Sequence, residues 1–372
     1  MSIAKKLARK EVVDMVPYQS ARRLYSGGSS FNSKIWLNAN EASGPGTYQI
    51  SSDCINRYPD FQPDNIINAY CQYSGLSKEN ILATRGADEG IELLIRTFCK
   101  AYQDNILICP PTYGMYAISA ENHGAGIIKV PLIDCQLDLA SMQAQVGKVK
   151  VVFLCSPGNP TGNLLRAKDI KTTLEMFGDS AIVVVDEAYI EFSPQDTTCA
   201  WLAEYPQLVI LRTLSKAFAL AGLRCGFTLA NSDIIELLSK VIAPYPISAP
   251  VAEIASNVLS LEGLQQVSVR VQETNVLREQ LNQWLQAQSW CIKVYPSHAN
   301  FVLFQTDNTD SKAFIFDTLV EQGILIRDQS KQPQLNDCLR ISIGSERELN
   351  ILKQTIINAY QSLDETTFAK EK

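Results

Sequence analysis

Between residues 80 and 230, short β-branched runs that are apolar along their whole length alternate with amphipathic helical spacing. The runs are NILICPP, AGIIKVPL, VKVVFLCS, AIVVVDEAY, LVILRTLSK and GFTLA. A strand that is apolar on both faces must be covered on both faces, as in a mostly parallel sheet between two helical layers. ADEGIELLIRTFCKAY places Ile91, Leu94, Ile95 and Phe98 on one helical stripe. The pattern predicts an α/β fold. Three prolines in PYPISAP (244–250) break it. Beyond them the spacing predicts long helices over 251–262 and 264–289, then short strands with helices between. The expected division is an N-terminal arm (1–30), a large α/β domain (31–247) and a smaller α+β domain (248–372). In the arm, Ile3 and Leu7 predict a short helix with a packing face, expected against the smaller domain. Residues 20–34, polar and rich in Gly and Ser, read as a mobile loop.

In open α/β sheets ligands bind beyond the carboxyl ends of the strands, and these strands end in unusual polar residues. Asp186 follows five apolar residues. A lone buried carboxylate costs several kcal/mol, so it needs a partner: either it caps the next helix or it is counter-ion to a protonated nitrogen of a ligand. Lys216 sits just past a strand in an apolar stretch, with Thr213 and Ser215 before it and Arg224 after it. A loop lysine is ordinarily a solvated charge. A lysine in a pocket near other cations is instead a nucleophile for a carbonyl, and two hydroxyls with a guanidinium suit a phosphate. Gly86 precedes a helix whose first N–H groups belong to Ala87, Asp88 and Glu89, a common arrangement that also suits phosphate. SPGNPTG (156–162) is a stiff loop presenting Asn159. Tyr189 lies three residues past Asp186, and Tyr113 offers a flat face for an aromatic ring. Each signal is modest alone. Together they describe one ligand with a basic ring nitrogen, a phenolic oxygen, an aldehyde and a phosphate, which is pyridoxal phosphate.

Composition narrows the remaining classes. Lys+Arg is 33 against Asp+Glu 39, a net charge of -6, which argues against nucleic acid or an anionic membrane as partner. With only His123 and His298, a multi-histidine metal centre is excluded, and no metal is expected. His123 reads as a surface or edge residue, and His298 as lying near the substrate side. The ten cysteines show no CxxC spacing and read as small buried hydrophobes in a reducing cytosol. No signal peptide and no apolar run of 18 residues is present, so a cytoplasmic protein is expected.

The residues resemble a known family, the fold-type I aminotransferases of the aspartate aminotransferase superfamily, and most closely their histidinol-phosphate branch. The resemblance covers nearly the whole chain through PYQSARR (17–23), LNANE (37–41), RYPD (57–60), GADEGIELLIR (86–96), SPGNPTG (156–162), VVDEAYIEF (185–192), RTLSKAFALAGLRCGF (212–227), HANFVLF (298–304) and LRISIG (339–344). It implies a large domain with a mostly parallel seven-stranded sheet beside a smaller α+β domain. It implies that Lys216 carries the cofactor covalently and moves protons, that Asp186 keeps the ring nitrogen protonated, and that Tyr189 and Asn159 bond the phenolic oxygen. Tyr113 would stack on the ring. The amides of Ala87 and Asp88, with Thr213, Ser215 and Arg224, would hold the phosphate. Tyr58 would reach the cofactor of a second subunit, which implies a homodimer with shared sites. Arg340 would pair with the carboxylate of glutamate; Arg327, Tyr18 and Asn40 would hold the phosphorylated amine. The implied reaction converts L-histidinol phosphate and 2-oxoglutarate to imidazole-acetol phosphate and glutamate.

The family usually runs LNANENP, and here Ala42-Ser43 replace the last two residues, which is expected to loosen the turn at Asn40. Alternatives on the same scaffold are an aromatic amino-acid aminotransferase and a threonine-phosphate decarboxylase. A DNA-binding regulator would need a further N-terminal module. A nicotinamide enzyme would need GxGxxG, and His123-Gly124-Ala125-Gly126 lacks the third glycine.

Overall fold

The computed structural model describes residues 2–14, 35–44, 46, 48, 50, 51 and 55–370. Tyr18, PYQSARR and the 20–34 loop therefore lie outside the described residues. Strand β1 is Ile35–Trp36. The large sheet comprises β2 (Ile81–Thr84), β3 (Asn105–Ile108), β4 (Gly126–Lys129), β5 (Val151–Cys155), β6 (Ile182–Asp186), β7 (Leu208–Thr213) and β8 (Gly226–Ala230). Their order is β2-β8-β7-β6-β5-β3-β4. Strand β8 runs antiparallel to β2 and β7; the other neighbours are parallel.

The apolar runs form central strands because both of their faces are covered. Val152, Leu154, Val183, Val185 and Ile210 enter one core cluster. Their alternates Val151, Phe153, Val184, Val209 and Leu211 enter the other. This period of two decides which strand-end residue faces which side.

The smaller sheet is antiparallel, in the order β12-β13-β10-β9, with β9 Cys291–Val294, β10 Phe301–Thr306, β12 Arg327–Asp328 and β13 Cys338–Ser342. Strand β1 pairs in parallel with β11 (Ile324–Leu325), and Leu37 packs in the core of this C-terminal half. Residues 35–37 thus belong with the C-terminal half, β1 and β11 forming a two-stranded sheet of their own, whereas the sequence assigned them to the large domain.

Two further expectations change. The long helices run Ala249–Val258 and Leu261–Gln286, because Ser260 interrupts them and caps the second by accepting the Gly263 N–H at 3.2 Å. The helix Ile3–Leu7 forms, but Ile3 is 70% and Leu7 78% exposed. The arm is tied to the large domain rather than the smaller one: Arg9 donates to the Asn122 carbonyl at 2.5 Å and to the Tyr102 hydroxyl at 3.3 Å. His123, expected at the surface or an edge, is half-buried at a helix end, its Nε2 2.8 Å from the Cys99 carbonyl. Among the described residues no helix is long and apolar enough to cross a membrane.

Candidate active site

The carboxyl ends of β5, β6 and β7 open into a cavity of about 520 Å³. Strand alternation aims Cys155, Asp186 and Thr213 into it. Asp186 is fully buried; it accepts the Tyr116 hydroxyl at 2.6 Å and the Ala188 N–H at 3.1 Å. Both donors are neutral. Burial pushes the carboxyl up to about 6 despite these two bonds.

Lys216 stands in the turn after β7. Its Nζ donates to the Ala39 carbonyl at 3.2 Å and lies 5.6 Å from the centre of the Tyr189 ring. Burial first, then the nearby Arg340, depresses its amine to about 8, with Asp88 and Glu41 opposing the shift.

An anion cup lies beside it. Gly86, φ +77°, starts the helix Ala87–Phe98, and a Cβ there would approach the Arg224 guanidinium to 2.8 Å. A Cβ on Gly226 would meet the Ala87 nitrogen at 2.8 Å. Both glycines are thus required for the helix start to nest against β8 and Arg224. Gly86 has no side chain with which to cap the helix. Thr213 donates to the Ser215 hydroxyl at 2.9 Å, and Arg224 reaches the same hydroxyl at 3.3 Å. Asp88 anchors the rim, accepting from Arg224 at 3.3 Å and from the Tyr113 hydroxyl at 3.0 Å. Helix amides, two hydroxyls and a guanidinium are groups that could hold a phosphate.

The opposite wall is amide and phenol. Tyr189 accepts from Asn159 Nδ2 at 3.2 Å and from Asn40 Nδ2 at 3.0 Å. Two amide donors fill the acceptor positions of the phenol, so its own proton is left to donate outward. Burial raises the pKa of that phenol, which keeps the donor protonated at neutral pH.

The smaller sheet contributes two cations. The β12–β13 register sets Arg327 directly opposite Arg340. Like charges at opposed positions are destabilising unless an anion offsets them. Arg340 donates to Asn159 Oδ1 at 2.6 Å and to the Asn38 carbonyl at 3.1 Å.

Of the residues anticipated from sequence, Ala87, Asp88, Tyr113, Asn159, Asp186, Tyr189, Thr213, Ser215, Lys216, Arg224, Asn40, Arg327 and Arg340 line this cavity. Tyr58 does not: it is 81% exposed and stacks on Tyr245 with ring centres 4.6 Å apart. Tyr18 lies outside the described residues. At the turn that carries Ala42-Ser43, Asn40 is held by bonds to distant segments. Asn40 is buried at φ 54°, its N–H bonds the Ser342 hydroxyl at 2.8 Å, and its carbonyl accepts from Asn300 at 3.0 Å. Sequence reasoning missed Tyr116, Asn38, Gln329 and Gln332. Only Tyr116 had a signal, its spacing of three from Tyr113.

The donor set fits pyridoxal phosphate: a depressed amine, a buried carboxylate without a cation, a phenol donor and an anion cup all face one cavity. Asn38 lines the same space, and neither end of its buried amide has a partner among the described residues. Among the described residues no three His, Cys, Asp or Glu side chains are grouped to hold a metal.

Known proteins agree with this reading. The family model for aminotransferase class I and II matches residues 26–356. The histidinol-phosphate aminotransferase of Colwellia psychrerythraea is 63% identical over 363 residues, 94% of this chain and 98% of the relative. That of Yersinia enterocolitica is 53% identical over 92% of this chain and 90% of the relative. The crystal structure of histidinol-phosphate aminotransferase from Sinorhizobium meliloti in complex with pyridoxal-5'-phosphate superposes with a TM-score of 0.83 at 22% identity, over 96% of this chain and 98% of that one.

Proposed function

The chain belongs to the class I and II aminotransferases and, among them, to the histidinol-phosphate aminotransferases, and from that membership we propose how its side chains divide the work. The reaction moves the amino group of L-histidinol phosphate to 2-oxoglutarate, giving imidazole-acetol phosphate and L-glutamate, with pyridoxal 5'-phosphate as cofactor. The observation that carries the assignment of roles is the presence of two cationic subsites flanking Lys216: the Arg224 cup on one side and the Arg327–Arg340 pair on the other.

When bound, the cofactor supplies an aldehyde that carries the amino group and a ring that accepts electron density. The Arg224 cup, with Thr213, Ser215 and the amides of Ala87 and Asp88, holds its phosphate. Tyr113 covers the ring face, Tyr189 and Asn159 orient the phenolic oxygen, and Asp186 keeps a positive charge on the ring nitrogen. Lys216 Nζ, with its pKa lowered to about 8, is neutral often enough near pH 7–8 to act as nucleophile and to move the proton at the substrate carbon. Arg327 and Arg340 hold the donor phosphate in one half-reaction and a carboxylate of glutamate in the other, since the guanidinium fork suits either anion. Asn40 and Tyr18 assist the donor.

Two copies would share sites, with the exposed Tyr58 of each reaching the cofactor phosphate of the other. We propose a division into an arm, a large and a smaller domain, with residues 35–37 assigned to the smaller one by their pairing with β11. The cytoplasm is the proposed compartment, supported by nine free cysteines among the described residues.

The test is spectroscopic. L-Histidinol phosphate added to cofactor-loaded protein is expected to remove the visible band, and 2-oxoglutarate to restore it, while phenylalanine and tyrosine do neither at the same concentration. Conversion by the aromatic amino acids instead, or carbon dioxide release without an acceptor, would favour the other scaffold activities.

A further inference from the structure

We propose that Tyr116 is a positioning residue for the transamination: its hydroxyl holds the Asp186 carboxylate charged and aimed at the cofactor's ring nitrogen. The inference rests on the reading of this cavity as the pyridoxal phosphate site.

The bond from Tyr116 to Asp186 measures 2.6 Å, within the range of a hydroxyl donating to an ionised carboxylate. The donor cannot swing away. Tyr116 is fully buried, stacked on Phe153 with ring centres 4.7 Å apart at 10°, and met edge-on by Tyr113 at 5.6 Å and 86°. Asp186 Oδ2 takes the phenol and Oδ1 takes the Ala188 N–H. Each oxygen thus has one donor, the carboxylate rotamer is fixed, and the remaining lone pairs are available to the cavity.

The groups facing Asp186 from the packed elements explain why a donor is needed there. Asp88 from the helix start and Glu187 just past the end of β6 add like charge, Cys155 from β5 is a buried neutral thiol, and burial disfavours the carboxylate. Tyr116 and the Ala188 amide are what favour it. A phenylalanine would fill the Tyr116 site as well as tyrosine does, so the hydroxyl is present for its bond rather than for packing. The geometry also joins two tasks. Tyr113, proposed to cover the ring face, lies two residues before the helix Met115–His123, and Tyr116 stands in its first turn. One turn of chain therefore sets both the face of the ring and the counter-ion of its nitrogen.

The experiment is a double-mutant cycle on cofactor binding, using Tyr116→Phe, Asp186→Asn and the pair, with pyridoxal phosphate titrated into each apoprotein. Circular dichroism checks that all four proteins are folded. Tyr116→Phe is expected to weaken binding by about tenfold in the wild-type background, as loss of a hydrogen bond to a charged group does, and by less than twofold beside Asp186→Asn. In the loaded enzyme the same variant is expected to lower kcat by about tenfold and leave the KM for histidinol phosphate within twofold. Equal weakening in both backgrounds, or none in either, would overturn the assignment of Tyr116. Wild-type protein that does not bind pyridoxal phosphate, or Asp186→Asn binding as tightly as wild type, would overturn the reading of the cavity and this inference with it.

Discussion

Asp186 and Glu187 are adjacent acidic residues at the end of β6, both almost fully buried, and they face opposite sides of the sheet. Glu187 looks away from the cavity, where Arg212 reaches it at 2.8 Å, and it also accepts from the Thr197 hydroxyl and from the N–H and hydroxyl of Thr198. Arg212 also pairs with Glu191 at 3.1 Å. Asp186 faces the cavity and has two neutral donors, with burial pushing its carboxyl up to about 6. The same chemistry one residue apart is therefore spent in two ways. On the rear face the fold supplies the cation, and the carboxylate ties β6, β7 and the 190–199 segment together. On the cavity face Asp186 has no cation in contact among the described residues, which is why we propose that a ligand with a protonated nitrogen completes the site. Lys216 follows the same logic with the sign reversed: burial beside Arg340 prepares an amine that is only partly charged.

The comparison can be broken at several points. Lys216→Ala is expected to lower kcat by more than about 10³-fold, the scale of a lost general acid-base group and more, with a thermal midpoint close to wild type; retained turnover would remove Lys216 from the chemistry. Arg212→Met on the rear face leaves two carboxylates buried without their cation, and urea unfolding is expected to show a loss of about 3–5 kcal/mol. A loss under 1 kcal/mol would mean that the rear face is not held by its charges.

The two faces also differ in pH dependence. The folded pKa of Asp186 is raised from 3.8 to about 6, so in the apoprotein this group's contribution is fully present below about pH 4 and is lost as pH rises through 6, a change of order 3 kcal/mol. Apoprotein with Asp186→Asn is therefore expected to gain stability relative to wild type between pH 4 and 7. A constant difference across that range would contradict the strained carboxylate. The smallest effect is expected at the arginine pair: Arg327→Ala should raise the KM for histidinol phosphate at least about tenfold, as loss of a charged hydrogen bond does, and the KM for glutamate by less. Equal rises would mean that Arg327 does not select for phosphate.

The proposed cofactor side of the cavity was legible in the chain because its groups end or follow apolar strands, where a polar residue stands out. Asp186 after AIVVV, Thr213 to Lys216 after LVIL, and Gly86 before a helix need only local pattern and the alternation of the sheet. The proposed substrate side depends on pairings between distant segments. The opposition of Arg327 and Arg340 requires the β12–β13 register. The anchoring of Asn40 requires Ser342 and Asn300, about 300 and 260 residues away, which the local sequence of that turn does not display. Tyr116 was hidden for a different reason. An aromatic at helical spacing reads as core, and its ring is indeed core; only its hydroxyl serves the site.

The central claim is that Asp186 acts by keeping the ring nitrogen of the cofactor positively charged. Asp186→Ala removes the carboxylate and leaves room at that nitrogen. The decisive measurement is kcat of this variant loaded first with pyridoxal phosphate and then with an analogue whose ring nitrogen carries a methyl group and hence a permanent charge. The expected result is a loss of about 10²-fold or more with the natural cofactor and at least tenfold recovery with the charged analogue. The same low rate with both would contradict the claim.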